Sequence, residues 1–247
     1  MSHRPCFFFT GLEGCRPGGL LELSGPEAHH ALRVARVGRG RELELRDGAG
    51  GWARGRVVET RRRTLLLELQ EVGREADDRV GVWVLLSLLK RDALEAALLK
   101  LCEMGVRRVT LLESRHSVAQ WRGEERMRRL KELAVAALKQ SRGFHLTQVQ
   151  PPLPPAHIPW ERLPPARVFL DEAGGPSLGA LLSALPPGEV ALAVGPEGGW
   201  DAQERSLFGE HGFRRAGLGR RILRADTAAV VAAFLAAQGR CGWSDGP

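Results

Sequence analysis

Tyrosine is absent from this 247-residue sequence, and cysteine, methionine and lysine are scarce, with four, three and four residues. Cys6, Cys15, Cys102 and Cys241 are too few for a disulfide scaffold in a chain of this length, and none falls in a short-spaced pair of the zinc-binding kind. That usage points to a reducing, cytoplasmic setting. No apolar run reaches membrane-spanning length, since the stretch from Val80 ends at Lys90 and Arg91. Phe7, Phe8 and Phe9 make a brief apolar run near the start, without the organisation of a signal peptide. Three nucleotide or hydrolase signatures are also missing: Gly-x-Gly-x-x-Gly after a strand, Gly-x-x-x-x-Gly-Lys-Ser/Thr and Gly-x-Ser-x-Gly. Dinucleotide binding of the ordinary Rossmann kind, P-loop hydrolysis and serine-hydrolase chemistry are thereby set aside.

The scarcity of lysine leaves 32 arginines among 36 basic residues, against 29 acidic ones. The guanidinium fork suits phosphate and carboxylate oxygens, which favours an RNA or nucleotide partner, although Arg-rich and Lys-poor usage also arises from coding bias. The excess is uneven. Residues 1–74 carry 13 basic and 9 acidic side chains, residues 75–160 carry 14 and 10, and residues 161–247 carry 9 and 10. RNA affinity is expected to follow the first two segments.

The length favours two compact units and leaves one large α/β domain as the alternative. Over the first 70 residues, Arg41–Arg46 alternates in polarity, Asp47-Gly48 marks a turn, and Trp52–Glu59 and Thr64–Gln70 give two further strands. Ser24 and Glu27 have the spacing of a capping box, which predicts a helix through His29, His30 and Leu32. The reading is a small barrel with one helix. After a polar linker at Glu75, Asp77 and Asp78, the continuous apolar run from Val80 reads as a strand covered on both faces. A helix over Asp92–Cys102, a stop at Gly105 and a strand at Val109–Leu112 complete a parallel crossover, with Cys102 in the core. A helix at Gly123–Lys139, a rigid Pro-rich crossover at 151–165 and strands at Val168–Leu170 and Val190–Val194 follow. Short helices are expected at Leu178–Ala184 and after Asp201, which Glu204 completes as a capping box; the apolar helix Thr227–Ala237 is expected to be buried.

Two segments carry chemistry. In Gly195-Pro196-Glu197-Gly198-Gly199-Trp200-Asp201, glycines stand between a buried strand and a capped helix, where an open α/β sheet places ligands; the alternative is a tight turn with no ligand. In Gly217–Thr227, Arg220, Arg221 and Arg224 precede Asp226 and Thr227 at a helix start, which suits a phosphate or carboxylate or else a merely capped, solvated helix end. His29-His30 is a poor metal pair because adjacent helical residues face different ways.

An ordered set of motifs resembles the bacterial 16S ribosomal RNA N3-uridine methyltransferase family, RsmE, of the SPOUT superfamily. It comprises His29-His30-Ala-Leu-Arg33-Val-Ala-Arg36, Lys90-Arg91, Cys102-Glu103-Met-Gly105, Ser114–Ser117, Lys139-Gln140-Ser141-Arg142, Gly195-Pro-Glu-Gly-Gly199 and Leu218-Gly-Arg-Arg-Ile-Leu-Arg224. Asp226 departs from the family's usual Glu, and Lys139-Gln140 from its usual Glu-Gln.

The resemblance implies an α/β protein with an N-terminal PUA-like β-barrel over residues 1–74. A SPOUT methyltransferase domain with a C-terminal trefoil knot is implied over 75–247. It implies S-adenosyl-L-methionine bound by Leu170, Gly195, Pro196, Gly198, Gly199, Leu218, Gly219, Arg221, Ile222 and Leu223. Contacts to 16S rRNA of the small ribosomal subunit are implied for His29, His30, Arg33, Arg36, Lys90, Arg91 and Arg142. A homodimer with composite active sites is implied as well, with no membrane and no required metal. Methylation at N3 displaces a proton, so the site needs a base or a positive group beside the developing uridinate. Arg224 is assigned to steady that charge, Asp226 to orient a guanidinium, and Glu197 to act as base or as electrostatic partner of the sulfonium. Two other classes remain open on sequence: a non-catalytic PUA-type RNA-binding or assembly protein, and a Mg2+ enzyme using Asp171, Glu172 and Glu197.

Overall fold

The computed structural model describes residues 4–121 and 123–240, so that Cys241 lies outside the described residues. They form two compact units. One comprises the described residues up to Asp78 together with Leu138–Leu146; the other comprises Arg79–Ala137 and the chain from Thr147 onward. The linear division at residue 74 does not contain the return of Leu138–Leu146 to the first unit. Local patterning carries no mark of that return, because its cause is a set of long-range contacts.

In the first unit, strands β1 (Cys6–Phe8), β2 (Leu20–Leu23), β3 (Glu42–Arg46), β4 (Gly51–Thr60) and β5 (Leu65–Arg74) form a five-stranded sheet in the order β1-β3-β4-β5-β2. Alternate residues of the β3–β5 meander face a core of Leu43, Leu45, Ala53, Val57, Leu65, Leu67 and Leu69. At the β3–β4 turn Asp47 Oδ1 accepts from the amides of Ala49 at 2.7 Å and Gly51 at 2.9 Å. The returning segment is anchored on buried Arg46, which donates to the Gly143 carbonyl at 2.7 Å and lies 4.2 Å from the Phe144 ring centre.

Helix α1 (Gly25–His29) continues as a π-helical turn over His30–Val34. The Ser24 capping box does not form: the Ser24 side chain makes no cap bond, and Glu27 accepts instead from the Phe8 amide at 3.0 Å and Lys139 Nζ at 2.7 Å. Nor do Arg33 and Arg36 keep helical spacing, because Arg36 lies beyond the turn with φ +50°. Both are exposed.

In the second unit, β6 (Val80–Ser87), β7 (Val106–Leu112), β8 (Gln148–Leu153), β9 (Ala166–Leu170), β10 (Val190–Val194) and β11 (Arg214–Ala216) form a wholly parallel sheet. Its order is β11-β9-β10-β6-β7-β8. Pro151 and Pro152, read from sequence as part of a crossover, belong to β8, which as an edge strand tolerates their missing amides. The helices are α2 (Arg91–Glu103), α3 (Gly123–Ser141), α4 (Leu178–Ser183), α5 (Ala202–Glu210) and α6 (Ala225–Arg240). Helix α2 buries Leu94, Ala97, Leu98, Leu101 and Cys102, and burial pushes the Cys102 thiol up to about 12. Helix α6 packs on β6, β10, α2 and α4 through Ala229, Ala232, Ala233, Ala236 and Ala237, but leaves Phe234 and Leu235 exposed. Among the described residues, no helix is long and apolar enough to cross a membrane.

Candidate functional site

Strand β9 has β10 on one side and β11 on the other, so the chain reverses its direction of travel across the sheet there. The carboxyl ends of strands at such a point open a crevice in α/β folds. Here the ends of β9, β10 and β11 meet the chain that follows β11 around a cavity of about 340 Å³.

The two glycine- and arginine-rich segments converge on this cavity. Its walls include Leu170, Gly195, Pro196, Gly199, Leu218, Gly219, Arg221, Ile222 and Leu223, together with Glu197 and Arg224. Two of the expected residues do not line it. Gly198 is turned to the neighbouring loop, where a Cβ would stand 2.9 Å from His116 Cβ. Asp226 sits behind Arg224, with Oδ1 3.5 Å from its Nε and 2.9 Å from the Thr227 amide that donates to it. Helix α6 begins at Ala225, so Arg224 rather than Asp226 occupies the cap position, its carbonyl accepting from Ala228 at 2.8 Å.

Trp200, which the sequence reading left without a role, fixes the wall after β10. Its indole is buried and donates from Nε1 to the Leu170 carbonyl at 2.8 Å. Gly195 makes room for it: a Cβ there would lie 3.1 Å from Trp200 Cε2, so the glycine serves the indole before any ligand. Gly199 turns the chain with φ +69°, a left-handed conformation suited to glycine. Asp201 then caps α5 in the expected capping box, accepting from Glu204 N at 2.7 Å while Glu204 Oε2 accepts from Asp201 N at 3.1 Å. An aromatic directly after a glycine turn was the available signal for Trp200; the alanines of the wall, Ala216, Ala225 and Ala228, carry none.

Asp171, at the end of β9, is buried and accepts from Arg205 Nε at 2.7 Å and the Ala173 amide at 3.0 Å. Burial pushes its carboxyl up, but the Arg205 guanidinium, the amide and the charge of Arg215 outweigh it and hold the group below the usual carboxylate range. Engaged by Arg205, Asp171 is poorly placed for the Mg2+ role considered above; among the described residues, it forms no metal-ligating cluster with Glu172 and Glu197.

The residues expected to meet RNA divide between the units. His29, His30, Arg33, Arg36 and Arg142 belong to the first, where the His30 ring meets Phe7 edge-on at 5.8 Å and Arg142 has φ +61°. Lys90 and Arg91 belong to the second, at the start of α2, with Arg91 Nε 3.1 Å from Glu95 Oε1.

Comparison with known proteins agrees with this architecture. Residues 76–237 match the family described as an RNA methyltransferase domain, and residues 23–70 match the RNA methyltransferase PUA domain. The ribosomal RNA small subunit methyltransferase E of Synechocystis is 29% identical over 214 residues, which is 85% of this chain and 70% of that protein. The protein of the same name from Mycobacterium bovis is 28% identical over 222 residues, 87% of this chain and 85% of its own. The crystal structure of a ribosomal RNA small subunit methyltransferase E from Neisseria gonorrhoeae, bound to S-adenosyl methionine, superposes with a TM-score of 0.87 at 25% identity. That match covers 98% of this chain and 100% of the other. With a PUA-like curled sheet preceding a SPOUT-type α/β domain, the chain belongs to the RsmE-like family of SPOUT RNA methyltransferases.

Proposed function

We propose that this methyltransferase uses S-adenosylmethionine to methylate N3 of a uridine in 16S ribosomal RNA of the small subunit, in the decoding region, within the cytoplasm. The observation that carries the reading is the convergence of Gly195–Trp200 and Leu218–Arg224 on one cavity at the carboxyl ends of β9, β10 and β11. Its volume of about 340 Å³ falls within the range of about 300–1,000 Å³ usual for small-molecule sites. The lining fits an adenosyl sulfonium. Leu218 and Leu223 offer apolar surface, Glu172 and Glu197 offer negative charge, and a Cβ built on Gly219 would meet nothing of this chain within 4 Å. When bound, the cofactor supplies an electrophilic methyl group.

In this reading the backbone around Gly195, Pro196, Gly199, Leu218, Gly219, Ile222 and Leu223 holds the adenosyl group, with Arg221 beside it. Gly198 acts through the turn rather than by contact, and Glu197 balances the sulfonium. Arg224 steadies the charge that develops on the uracil oxygens, and Asp226 orients its guanidinium. The chain after β11 runs parallel beside the segment after β9, with Gly217 N bonded to Pro176 O at 3.0 Å and Leu178 N to Gly217 O at 2.9 Å, and this reading assigns the knot of the SPOUT domain to this C-terminal region. Exposed Phe234 and Leu235 on α6, and Ile222 at 79% exposure, support a homodimer in which a second copy completes each site. His29, His30, Arg33, Arg36, Lys90, Arg91 and Arg142 supply contacts to the RNA.

Incubation of unmodified small subunits with the protein and S-adenosylmethionine, followed by digestion to nucleosides and mass spectrometry, tests the reading. N3-methyluridine is the expected product. Methylation of another atom, or of another base, overturns it.

A further inference from the structure

The chain between β7 and α3 reaches the turn between β10 and α5 through His116. Its Nδ1 lies 3.1 Å from the Gly198 carbonyl oxygen and 3.2 Å from that of Gly199. Carbonyl oxygens only accept, so Nδ1 carries the proton, and in the neutral ring Nε2 is left as an acceptor. Three features hold the ring in place. The absence of a side chain at Gly198 lets His116 pack against the turn, since a Cβ there would come within 2.9 Å of His116 Cβ. The preceding amide, Arg115 N, donates to Glu204 Oε1 at 2.9 Å, tying the loop to the capping box of α5. One residue earlier, the Ser114 hydroxyl meets Ser87 Oγ at 2.7 Å in a buried pair.

His116 is nevertheless exposed, and Gly198 lies between Glu197 and Gly199, both of which line the cavity. The imidazole therefore packs on a turn whose residues on either side of Gly198 belong to the cavity wall. The charged groups on the segments that meet there include Glu113 and Arg115 on its own loop, Glu197 and Asp201 on the turn, and Glu204, Arg205 and Glu210 on α5.

From this juxtaposition we infer that His116 receives the target uracil: Nδ1–H holds the Gly198–Gly199 turn, and Nε2 accepts the imide hydrogen at N3. The inference rests on the uridine-N3 reading. An acceptor is the complement of a uracil N3–H, whereas cytosine presents a lone pair at N3, which a second lone pair repels. During transfer the N3–H bond pair stays on nitrogen as the proton passes to Nε2. N3 forms its bond to the methyl carbon while the carbon–sulfur bond breaks with its pair kept by sulfur. The imidazolium then returns the proton to water, and the positive charge of the sulfonium ends as a released proton.

Two substitutions separate the roles of the nitrogens. His116→Asn keeps an N–H donor near the place of Nδ1 and removes Nε2; His116→Ala removes both. His116→Asn is expected to bind S-adenosylmethionine by calorimetry within about twofold of wild type and to slow single-turnover methylation by about 100-fold, the usual scale of general-base loss. His116→Ala is expected to lose several-fold in cofactor affinity as well. In the free enzyme, ring 15N shifts should report a protonated Nδ1 and a bare Nε2, and the opposite tautomer overturns the inference without reference to activity. A wild-type enzyme that methylates elsewhere overturns the uridine-N3 reading. A His116→Asn rate within about threefold of a wild type that does produce N3-methyluridine overturns the role of His116 alone.

Discussion

Around the cavity, the wall formed by Gly195–Asp201 is held by its own chain from several sides, whereas the wall formed by Leu218–Arg224 is held mainly at its ends. On the first, Trp200 is 2% exposed and bonded to Leu170, Asp201 and Glu204 close a capping box, and His116 bridges two carbonyls. On the second, Ile222 is 79% exposed, and the side chain of Arg224, 77% exposed, meets Asp226 at 3.5 Å. An exposed pair of that kind contributes little to folding. The fixed wall is therefore preorganised for a ligand, and the open one keeps its arginines available to whatever completes the site. Folding and catalysis should separate across the cavity: apart from the exposed His116, substitutions in the fixed wall lower stability, and those in the open wall lower rate.

The largest loss of stability is expected from Trp200→Ala, which empties a buried aromatic position and leaves the Leu170 carbonyl without its donor. About 3–5 kcal/mol is the usual cost of such a truncation. Thermal unfolding within about 1 kcal/mol of wild type would show the wall to be less fixed than its contacts imply. Next comes Asp171→Asn, which weakens the bond to Arg205 and is expected to cost about 1.5–3 kcal/mol at neutral pH. Its pH dependence is the sharper check. Because the folded-state value is lowered, the ionised group stabilises the fold above its unfolded value of about 3.9, and this is lost as pH falls through the folded value. The gap between wild type and Asp171→Asn should thus narrow on acidification, and a gap independent of pH would remove the ion pair from the account.

The same contrast explains what could be read from the amino-acid sequence. Ser24-x-x-Glu27 and Asp201-x-x-Glu204 carry the same local motif, yet only the second closes into a box. At α5, the long-range partner of Glu204, the Arg115 amide, adds to the local bonds; at α1, Lys139 and the Phe8 amide take Glu27 away from Ser24. Strands, helices and both glycine-rich segments follow from periodicity and turn chemistry, which are local. The return of Leu138–Leu146 and the seat of His116 on Gly198 depend on contacts distant in sequence. The family resemblance supplied the site set and the expectation of a knot, which the general rarity of threaded chains would have argued against.

That pair of motifs gives a smaller, internally controlled effect. Asp201→Ala removes a cap that accepts from Glu204 N at 2.7 Å and should cost about 1 kcal/mol in denaturant unfolding. Ser24→Ala removes no cap bond and should fall within about 0.5 kcal/mol of wild type. Equal losses at the two positions would mean that Ser24 caps α1 in solution.

The smallest effect on folding is expected at Arg224, where the effect on rate should be large. Its exposed pairing with Asp226 leaves Arg224→Ala within about 0.5 kcal/mol of wild type. If the guanidinium stabilises uridinate charge that appears only as the methyl moves, the same substitution should slow single-turnover methylation by about 100-fold while cofactor and RNA affinities hold. Arg224→Lys should recover part of the rate, since an ammonium restores the charge but not the planar fork. Asp226→Asn should lie between, because it loosens the guanidinium without removing it. Single-turnover rates at saturating RNA and cofactor, measured beside calorimetric binding and thermal unfolding, separate the possibilities. A stable Arg224→Ala enzyme with the wild-type rate would end the catalytic assignment. A rate loss matched by an equal loss of cofactor affinity would instead move Arg224 into the binding wall, alongside Arg221.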